Sequence, residues 1–276
     1  MLATWDAELE TPTLGGAITL RSEIEILSKI LKFDSVELSV KPNITSMKYL
    51  LEQVFLSSRL HFKLVNGGPG VGYPFDYWGE TTTKSYISTL RIQELFRMYG
   101  LAPNLTWNKS VENAKYSLAD KIGEFIALHI RNDNFKATEW NLGGDFTSQI
   151  VNWLLDNTKY PVVIIGGDLV PEWVSNHNRV YHLESLGVAL SVQLAVIESA
   201  KVFIGSASGI ACAATFSQVP YIIFKDPAHH PNEMISELGS RHFFNFSTSK
   251  QLLLRLPSNL HTWSSEVEFY LREWSL

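Results

Sequence analysis

Short apolar runs separated by helical stretches dominate the second half of the chain. The runs are rich in β-branched and aromatic residues, which favour strands, and each ends at small or polar residues. Strands that alternate with helices in this way indicate parallel pairing through crossover helices. The sequence therefore predicts a doubly wound α/β lobe, with strands at 125–131, 162–165, 180–183, 201–206 and 221–224 and helices near 146–157, 189–199, 210–216 and 264–274.

The same alternation is weaker in the first half of the chain. A helix-like run follows Gly15 and Gly16, and its apolar residues recur on one face. The opening strand is poorly marked, and 104–115 is polar and is interpreted as an inter-lobe region. Further strands are predicted at 36–40 and 60–65, and further helices near 46–55 and 83–99. We therefore expect two α/β lobes with parallel sheets, at residues 1–118 and 119–276.

The stretch from 201 to 227 carries the clearest candidate chemistry. Its first strand stops at four small residues, Ser206, Ala207, Ser208 and Gly209, and a helix follows. Unpaired N–H groups and the helix dipole attract an anion at such a point, and the small side chains let a phosphate approach. The alternative is that small residues only allow the helix to pack closely on the strand.

A second candidate group lies where strand 125–131 ends. Arg131 can bind phosphate oxygens with its forked guanidinium, or it can form a surface salt bridge with Asp133. Asp133 can orient Arg131 or take part in acid/base chemistry. His129 is a candidate catalytic residue, and its alternative role is that of a hydrogen-bonded core histidine. Because ligands bind at the carboxyl ends of parallel strands, we expect a phosphorylated ligand between this group and Ser206.

Other polar or glycine residues are predicted to reach the same edge of the sheet. Glu184 can accept both hydroxyls of a ribose, or it can cap a helix or face solvent. The remaining candidates are Lys225 for phosphate charge and the turn of Gly166, Gly167 and Asp168, for which ligand contact and simple turn chemistry are both open.

The first lobe adds fewer candidates. A glycine-rich segment at 66–80 ends in aromatic residues and contains Asp76, so it is interpreted either as a binding loop or as a surface connection. Gly15 and Gly16 complete the predicted substrate-binding set. The adjacent pair His229 and His230 lacks a spaced third ligand, so no metal site is expected.

Composition narrows the function classes. A net charge of −5 argues against nucleic acid as the main partner, and 45% hydrophobic with 18% charged residues is typical of a folded core. With one cysteine, no intrachain disulfide can form, and Cys212 is interpreted as a small buried filler. No segment approaches the roughly 18 apolar residues of a membrane span, and the start lacks a secretory signal pattern. We expect a cytoplasmic protein without a transmembrane segment.

Several of these motifs resemble those of a known enzyme group. The segments 180–184, 202–209 and 219–223 look like the C-terminal lobe of GT-B glycosyltransferases, and 128–133 resembles the His-x-Arg motif of the α1,6- and protein O-fucosyltransferases. Residues 201–224 also resemble heptosyltransferases. In that group an Asp-Ser-Gly and a downstream histidine are normal, whereas this chain has Ala207-Ser208-Gly209 and Cys212.

The resemblance implies a GT-B fold of two Rossmann-like lobes with the nucleotide site in the C-terminal lobe. It further implies transfer of a sugar from a nucleotide-diphosphate donor such as GDP-fucose to a saccharide or other hydroxyl acceptor bound by the first lobe. Arg131 would contact the diphosphate, and no metal or separate cofactor would be needed. Two alternatives stay open, namely a nucleotide-sugar epimerase of the same architecture and a non-catalytic nucleotide-sugar-binding protein.

Overall fold

A computed structural model describes most of the chain. The described residues are 2–6, 14–40, 48–66, 84–131, 143–167, 170–225, 244–257 and 259–276. They form two compact units, Met1–Asn113 and Ala114–Leu276.

The N-terminal unit contains a parallel sheet of order β1-β2-β3. The opening strand, which the sequence marks poorly, is β1 and pairs with β2 from Leu2 opposite Ser35. Strands and helices alternate as expected, and a π-helical turn, Glu52–Leu56, extends the second helix. The elements are β1 (Leu2–Asp6), α1 (Leu14–Leu31), β2 (Ser35–Val40), α2 (Lys48–Leu51), β3 (His61–Asn66) and α3 (Lys84–Tyr99).

Helix α1 is enclosed by the N-terminal unit, since every residue from 17 to 26 is buried. The Arg21 side chain is buried and its Nε donates to Glu25 Oε1 at 2.7 Å, while Nη1 donates to the Val54 carbonyl at 2.6 Å. The other oxygen of Glu25 accepts the Thr106 N–H at 2.8 Å. This hydrogen-bonded ion pair connects α1 to the π-helical turn and to the loop at Thr106, and breaking it would leave an uncompensated buried charge.

The segment 104–115, interpreted as a polar inter-lobe region, is helical in its second half. Helix α4 spans Lys109–Ile122 and contains the boundary between the two units. Asn108 begins it, because the Asn108 Oδ1 accepts the Val111 N–H at 3.0 Å. Lys115 is polar but buried, with Nζ 3.2 Å from Glu198 Oε2, which explains why a polar sequence forms a packed helix.

The C-terminal unit contains a parallel sheet of order β6-β5-β4-β7-β8-β9. From β4 the chain moves outward through β5 to β6, returns beside β4 as β7, and continues outward to β9. The strand order therefore reverses between β4 and β7, which is the topological switch point of the sheet. The strands are β4 (Ile126–His129), β5 (Val162–Ile164), β6 (Val180–His182), β7 (Val202–Ser206), β8 (Tyr221–Lys225) and β9 (Gln251–Arg255).

The helices of this unit are close to the predicted ones. The tail helix α9 (Leu260–Glu273) packs on α5 (Gly143–Asn157), where Trp263 meets Trp153 edge-to-face with ring centroids 5.7 Å apart. Arg179 ends the turn before β6, and its guanidinium donates to the carbonyls of Leu155, Thr158 and Tyr160 at 2.6–3.0 Å. The helices are α5 (Gly143–Asn157), α6 (Glu172–Ser175), α7 (Leu190–Val196), α8 (Gly209–Thr215) and α9 (Leu260–Glu273), with a 3₁₀ turn at Ile197–Ser199.

Candidate functional site

The candidate site lies at the switch point, where β4 and β7 end side by side. His129 is the last residue of β4 and lies opposite Gly205 in β7. A Cβ added at Gly205 would stand 2.6 Å from the carbonyl oxygen of His129, so only glycine fits at this position. Ligands of open parallel sheets bind at such a crevice, outside the carboxyl ends of the strands.

His129 is buried and holds neighbouring backbone in place. Its Nδ1–H donates to the Ile165 carbonyl at 2.8 Å, directly after β5. Of the two roles open for His129, this geometry favours the hydrogen-bonded core histidine. The ring connects the ends of β4 and β5 beneath the candidate site.

Ser206, the last residue of β7, has a buried hydroxyl. The residue is 5% exposed, and among the described residues its Oγ has no hydrogen-bond partner. Its register with Phe224 and the alternation along β7 place it on the face of the sheet covered by α5 and α9. A buried polar group of this kind costs free energy unless a water or ligand satisfies it.

The three residues after Ser206 differ in what they can offer an anion. The Ala207 N–H donates to the Phe224 carbonyl at 2.7 Å, so this amide is already engaged in the sheet. Ser208 is the N-cap of α8, where its Oγ accepts the Ala211 N–H at 3.2 Å. Gly209 lies in the first turn of α8, where amides have no carbonyl partner within the helix. Cys212 is half-buried rather than buried, and its Sγ lies 3.5 Å from the Ser208 carbonyl.

Arg131 is half-buried and follows β4 by two residues. It is therefore located at the same edge of the sheet as Ser206, as the sequence predicts. Asp133, the other charged residue predicted here, lies outside the described residues.

In the turn after β5, the backbone of Gly166 lies close to two neighbouring side chains. Gly166 has φ +104°, and a Cβ there would stand 2.7 Å from Ile210 Cδ1 and 3.2 Å from His129 Nδ1. The Gly166 carbonyl accepts from His182 Nε2 at 3.1 Å, and its N–H donates to Gln193 Oε1 at 2.9 Å. The backbone at this strand end is therefore held by buried side chains.

His182 and Gln193 are two residues that sequence reasoning missed. His182 ends β6, and its ring also lies 2.6 Å from Ser185 Oγ through Nδ1. Gln193 is fully buried in α7 and its Nε2 donates to the exposed Glu184 at 3.0 Å. An amide at a buried position of a short apolar helix is the signal that could have revealed Gln193. The structure thus brings Glu184 next to Gly167, whose added Cβ would lie 3.6 Å from Glu184 Cγ.

Solved structures similar to this chain include two heptosyltransferases. E. coli ADP-heptose lps heptosyltransferase II has a TM-score of 0.56 at 11% identity, over 100% of this chain and 99% of that chain. E. coli heptosyltransferase WaaC, solved with ADP-2-deoxy-2-fluoro heptose, has a TM-score of 0.53 at 10% identity, over 99% of each chain. A glycosyl transferase family 9 protein from Veillonella parvula DSM 2008 has 0.54 at 12%, over 99% of this chain and 89% of that chain. No protein-family model and no curated protein matches the sequence.

The chain has the GT-B fold. This confirms the predicted α/β class with parallel sheets and, at the level of fold, the resemblance to heptosyltransferases. The structures named above do not bear on the resemblance to fucosyltransferases, which stays a prediction.

The remaining predicted residues are spread over the GT-B fold. Lys225 ends β8 and is half-buried, two strands from β4. Gly15 and Gly16 do not precede a helix but lie in the first turn of α1, in the N-terminal unit. Asp76 and Asp168 lie outside the described residues, as do His229 and His230.

Two features are absent from the described residues. Within them, no group of three or more His, Cys, Asp or Glu side chains is arranged to hold a metal ion. No helix in the described part of the chain is long and apolar enough to cross a membrane.

Proposed function

We propose that this chain is a glycosyltransferase that moves a sugar from a nucleotide-diphosphate donor to a saccharide or other hydroxyl acceptor. The donor binds at the switch point of the C-terminal unit, and the N-terminal unit binds the acceptor. The observation that carries this proposal is the buried Ser206 hydroxyl, which has no partner among the described residues and stands where the strand order reverses. A phosphate oxygen would satisfy it.

The groups around Ser206 match the parts of such a donor. In the reaction the acceptor hydroxyl oxygen forms a bond to the anomeric carbon and gives up its proton to a general base or water. The bond between the anomeric carbon and the β-phosphate oxygen breaks, and negative charge builds on the departing nucleotide diphosphate. Arg131 and the first-turn amide of Gly209 would stabilise that charge without a metal. Glu184 would accept the ribose hydroxyls, because an exposed carboxylate at a strand end is suited to a diol. His129 would support the site from below through its bond to Ile165.

Support for the donor class comes from two sources. WaaC was solved with an ADP-linked heptose analogue, which makes ADP sugars the first donors to test. The His-x-Arg resemblance at Arg131 adds GDP-fucose as the second. The similar solved structures named above are glycosyltransferases, which favours transfer over the two alternatives, the epimerase and the non-catalytic binding protein.

A thermal-shift panel tests the donor site directly. ADP, GDP, UDP, CDP and dTDP are compared on the wild type, on Arg131→Ala and on Arg272→Ala, a control at an exposed arginine of α9. A ligand at 100 times its dissociation constant adds about 2.7 kcal/mol of stability, so a binding nucleotide gives a visible shift. We expect one or more diphosphates to stabilise the wild type and the control but not Arg131→Ala. Stabilisation of none of the three proteins would contradict the donor site.

Activity separates the proposed function from its alternatives. Sugar nucleotides are incubated with the protein, with and without a mixture of saccharide acceptors, and release of nucleotide diphosphate is followed. Acceptor-dependent release supports transfer. A changed sugar nucleotide formed without acceptor would support the epimerase, and binding without turnover would support the binding protein.

A further inference from the structure

Gln193 is a buried amide whose bonding groups are all engaged around the candidate site. The residue is 0% exposed. Its Oε1 accepts the Gly166 N–H at 2.9 Å, while its Nε2 donates to the Val188 carbonyl at 2.7 Å and to Glu184 Oε2 at 3.0 Å. The side chain therefore connects the turn after β5 with the carboxylate that follows β6.

These contacts allow one orientation of the amide. Turning it by 180° would direct Oε1 at the Val188 carbonyl and the Glu184 carboxylate, which are both acceptors, and would direct the NH₂ group at an N–H donor. The Nε2 donor is consequently held toward Glu184. An exposed glutamate side chain normally samples several rotamers, and ordering it costs entropy when a ligand binds. A buried donor at 3.0 Å removes part of that cost in advance.

We propose that Gln193 is a positioning residue that holds Glu184 for the ribose of the donor, and that it sets a preference for ribonucleotides over 2′-deoxyribonucleotides. The proposal rests on the proposed function, since Glu184 must meet the donor. Oε2 of Glu184 accepts from Gln193, so Oε1 would be the oxygen that accepts from the ribose. The adjacent Gly167 leaves room, because even an added Cβ would only make ordinary contact with Glu184 at 3.6 Å.

The test compares each ribonucleoside diphosphate with its 2′-deoxy counterpart by isothermal titration calorimetry. Gln193→Glu keeps an acceptor for the Gly166 N–H but replaces the donor beside Glu184 with a carboxyl oxygen. We expect the ribo-over-deoxy affinity ratio to fall about tenfold, while affinity for the 2′-deoxy nucleotide stays near the wild-type value. Glu184→Gln should lower the ribo-over-deoxy affinity ratio by about the same factor. The double variant Glu184→Gln with Gln193→Glu should show no further fall in that ratio.

Gln251 provides a matched control within the same unit. It is buried in β9, its Nε2 donates to the carbonyls of Ser217 and Val219, each at 3.0 Å, and its Oε1 accepts the Thr248 N–H at 2.9 Å. Gln251→Glu places a carboxyl in an equivalent bonding pattern away from Glu184. It should lower stability as Gln193→Glu does and leave the ribo-over-deoxy ratio unchanged.

Three outcomes overturn the inference, and they can be told apart. Wild-type affinity for both nucleotides in Gln193→Glu would refute the positioning role alone. Equal losses for ribo- and deoxynucleotides, matching those of Gln251→Glu, would show that Gln193 acts only on the fold. No nucleotide binding to the wild type would remove the proposed function together with this inference. Gln193→Met, an uncharged replacement of similar length, repeats the comparison if the buried carboxyl prevents folding.

Discussion

Replacing Ser206 with alanine should raise stability and weaken ligand binding at the same time. The hydroxyl is buried and has no partner among the described residues, so we expect it to carry a desolvation cost when no donor is bound. Ser206→Ala removes that cost, and it also removes the group that the donor would satisfy. We therefore expect opposite effects on folding and on binding, as is common for residues that serve a binding site at the expense of stability.

The size of the gain follows from the burial of the hydroxyl. An unsatisfied buried donor or acceptor costs about 1–3 kcal/mol, and the small void left by the lost oxygen offsets part of this. We expect a net gain of about 1 kcal/mol, which in a domain of this size raises Tm by about 2–4 °C. The same substitution should weaken nucleotide diphosphate binding about tenfold, because a hydrogen bond to a charged oxygen is lost.

Ser217 is the control, because it is also buried in the C-terminal unit but is satisfied. Its Oγ donates to the Ala214 carbonyl at 2.8 Å and accepts the Val219 N–H at 3.3 Å. Ser217→Ala should therefore lose about 1 kcal/mol of stability. Urea unfolding followed by circular dichroism, together with calorimetric titration of the nucleotide, measures both quantities for the three proteins. Equal destabilisation by both substitutions would refute the inference that the Ser206 hydroxyl has no hydrogen-bond partner until the donor binds.

Three further predictions concern the stability of the C-terminal unit. Gly205→Ala places a methyl 2.6 Å from the His129 carbonyl, so we expect a loss of about 1–3 kcal/mol or more in urea unfolding, and an unchanged midpoint would contradict this contact. Arg179→Met leaves three carbonyls without their donor and should cost about 1–3 kcal/mol, whereas Arg272→Met, at an exposed ion pair, should change stability by less than about 1 kcal/mol. Burial raises the pKa of Tyr221 to about 12, so its contribution to stability is complete below pH 10 and is lost as pH rises to about 12, by at most about 1.4 kcal/mol per pH unit. Tyr221→Phe should flatten the stability–pH curve in that window, and identical curves for both proteins would exclude this linkage.

Much of the C-terminal unit could be predicted from the sequence. Strands β4, β5 and β7 are buried along their lengths and β8 is buried up to Lys225, so each reads as a nearly continuous apolar run. The small residues after β7 correctly marked the change from strand to helix. In contrast, β9 was missed, because its run ends at a proline and lacks β-branched residues that would separate it from a helix.

Burial of polar side chains was harder to predict. Sequence reasoning interpreted 104–115 as a polar segment, yet Lys115 is buried beside Glu198 from a distant part of the chain. Arg21 and Glu25 look like the solvent-facing side of an amphipathic helix, yet they are buried as an ion pair. Each of these charged side chains can be buried because tertiary packing brings it to groups that compensate its charge. The local sequence pattern does not predict that burial.

The sequence by itself determined most of the strands and helices and the residues that end them, because these depend on local periodicity and on small residues at turns. It thereby placed Arg131 and Ser206 at the ends of strands. Only the tertiary structure decided that those two strands are neighbours, since the order of parallel strands depends on long-range pairing. Only the fold, too, decided that Gln193 meets both Gly166 and Glu184, because these contacts join three elements whose spacing along the chain carries no signal of their contact.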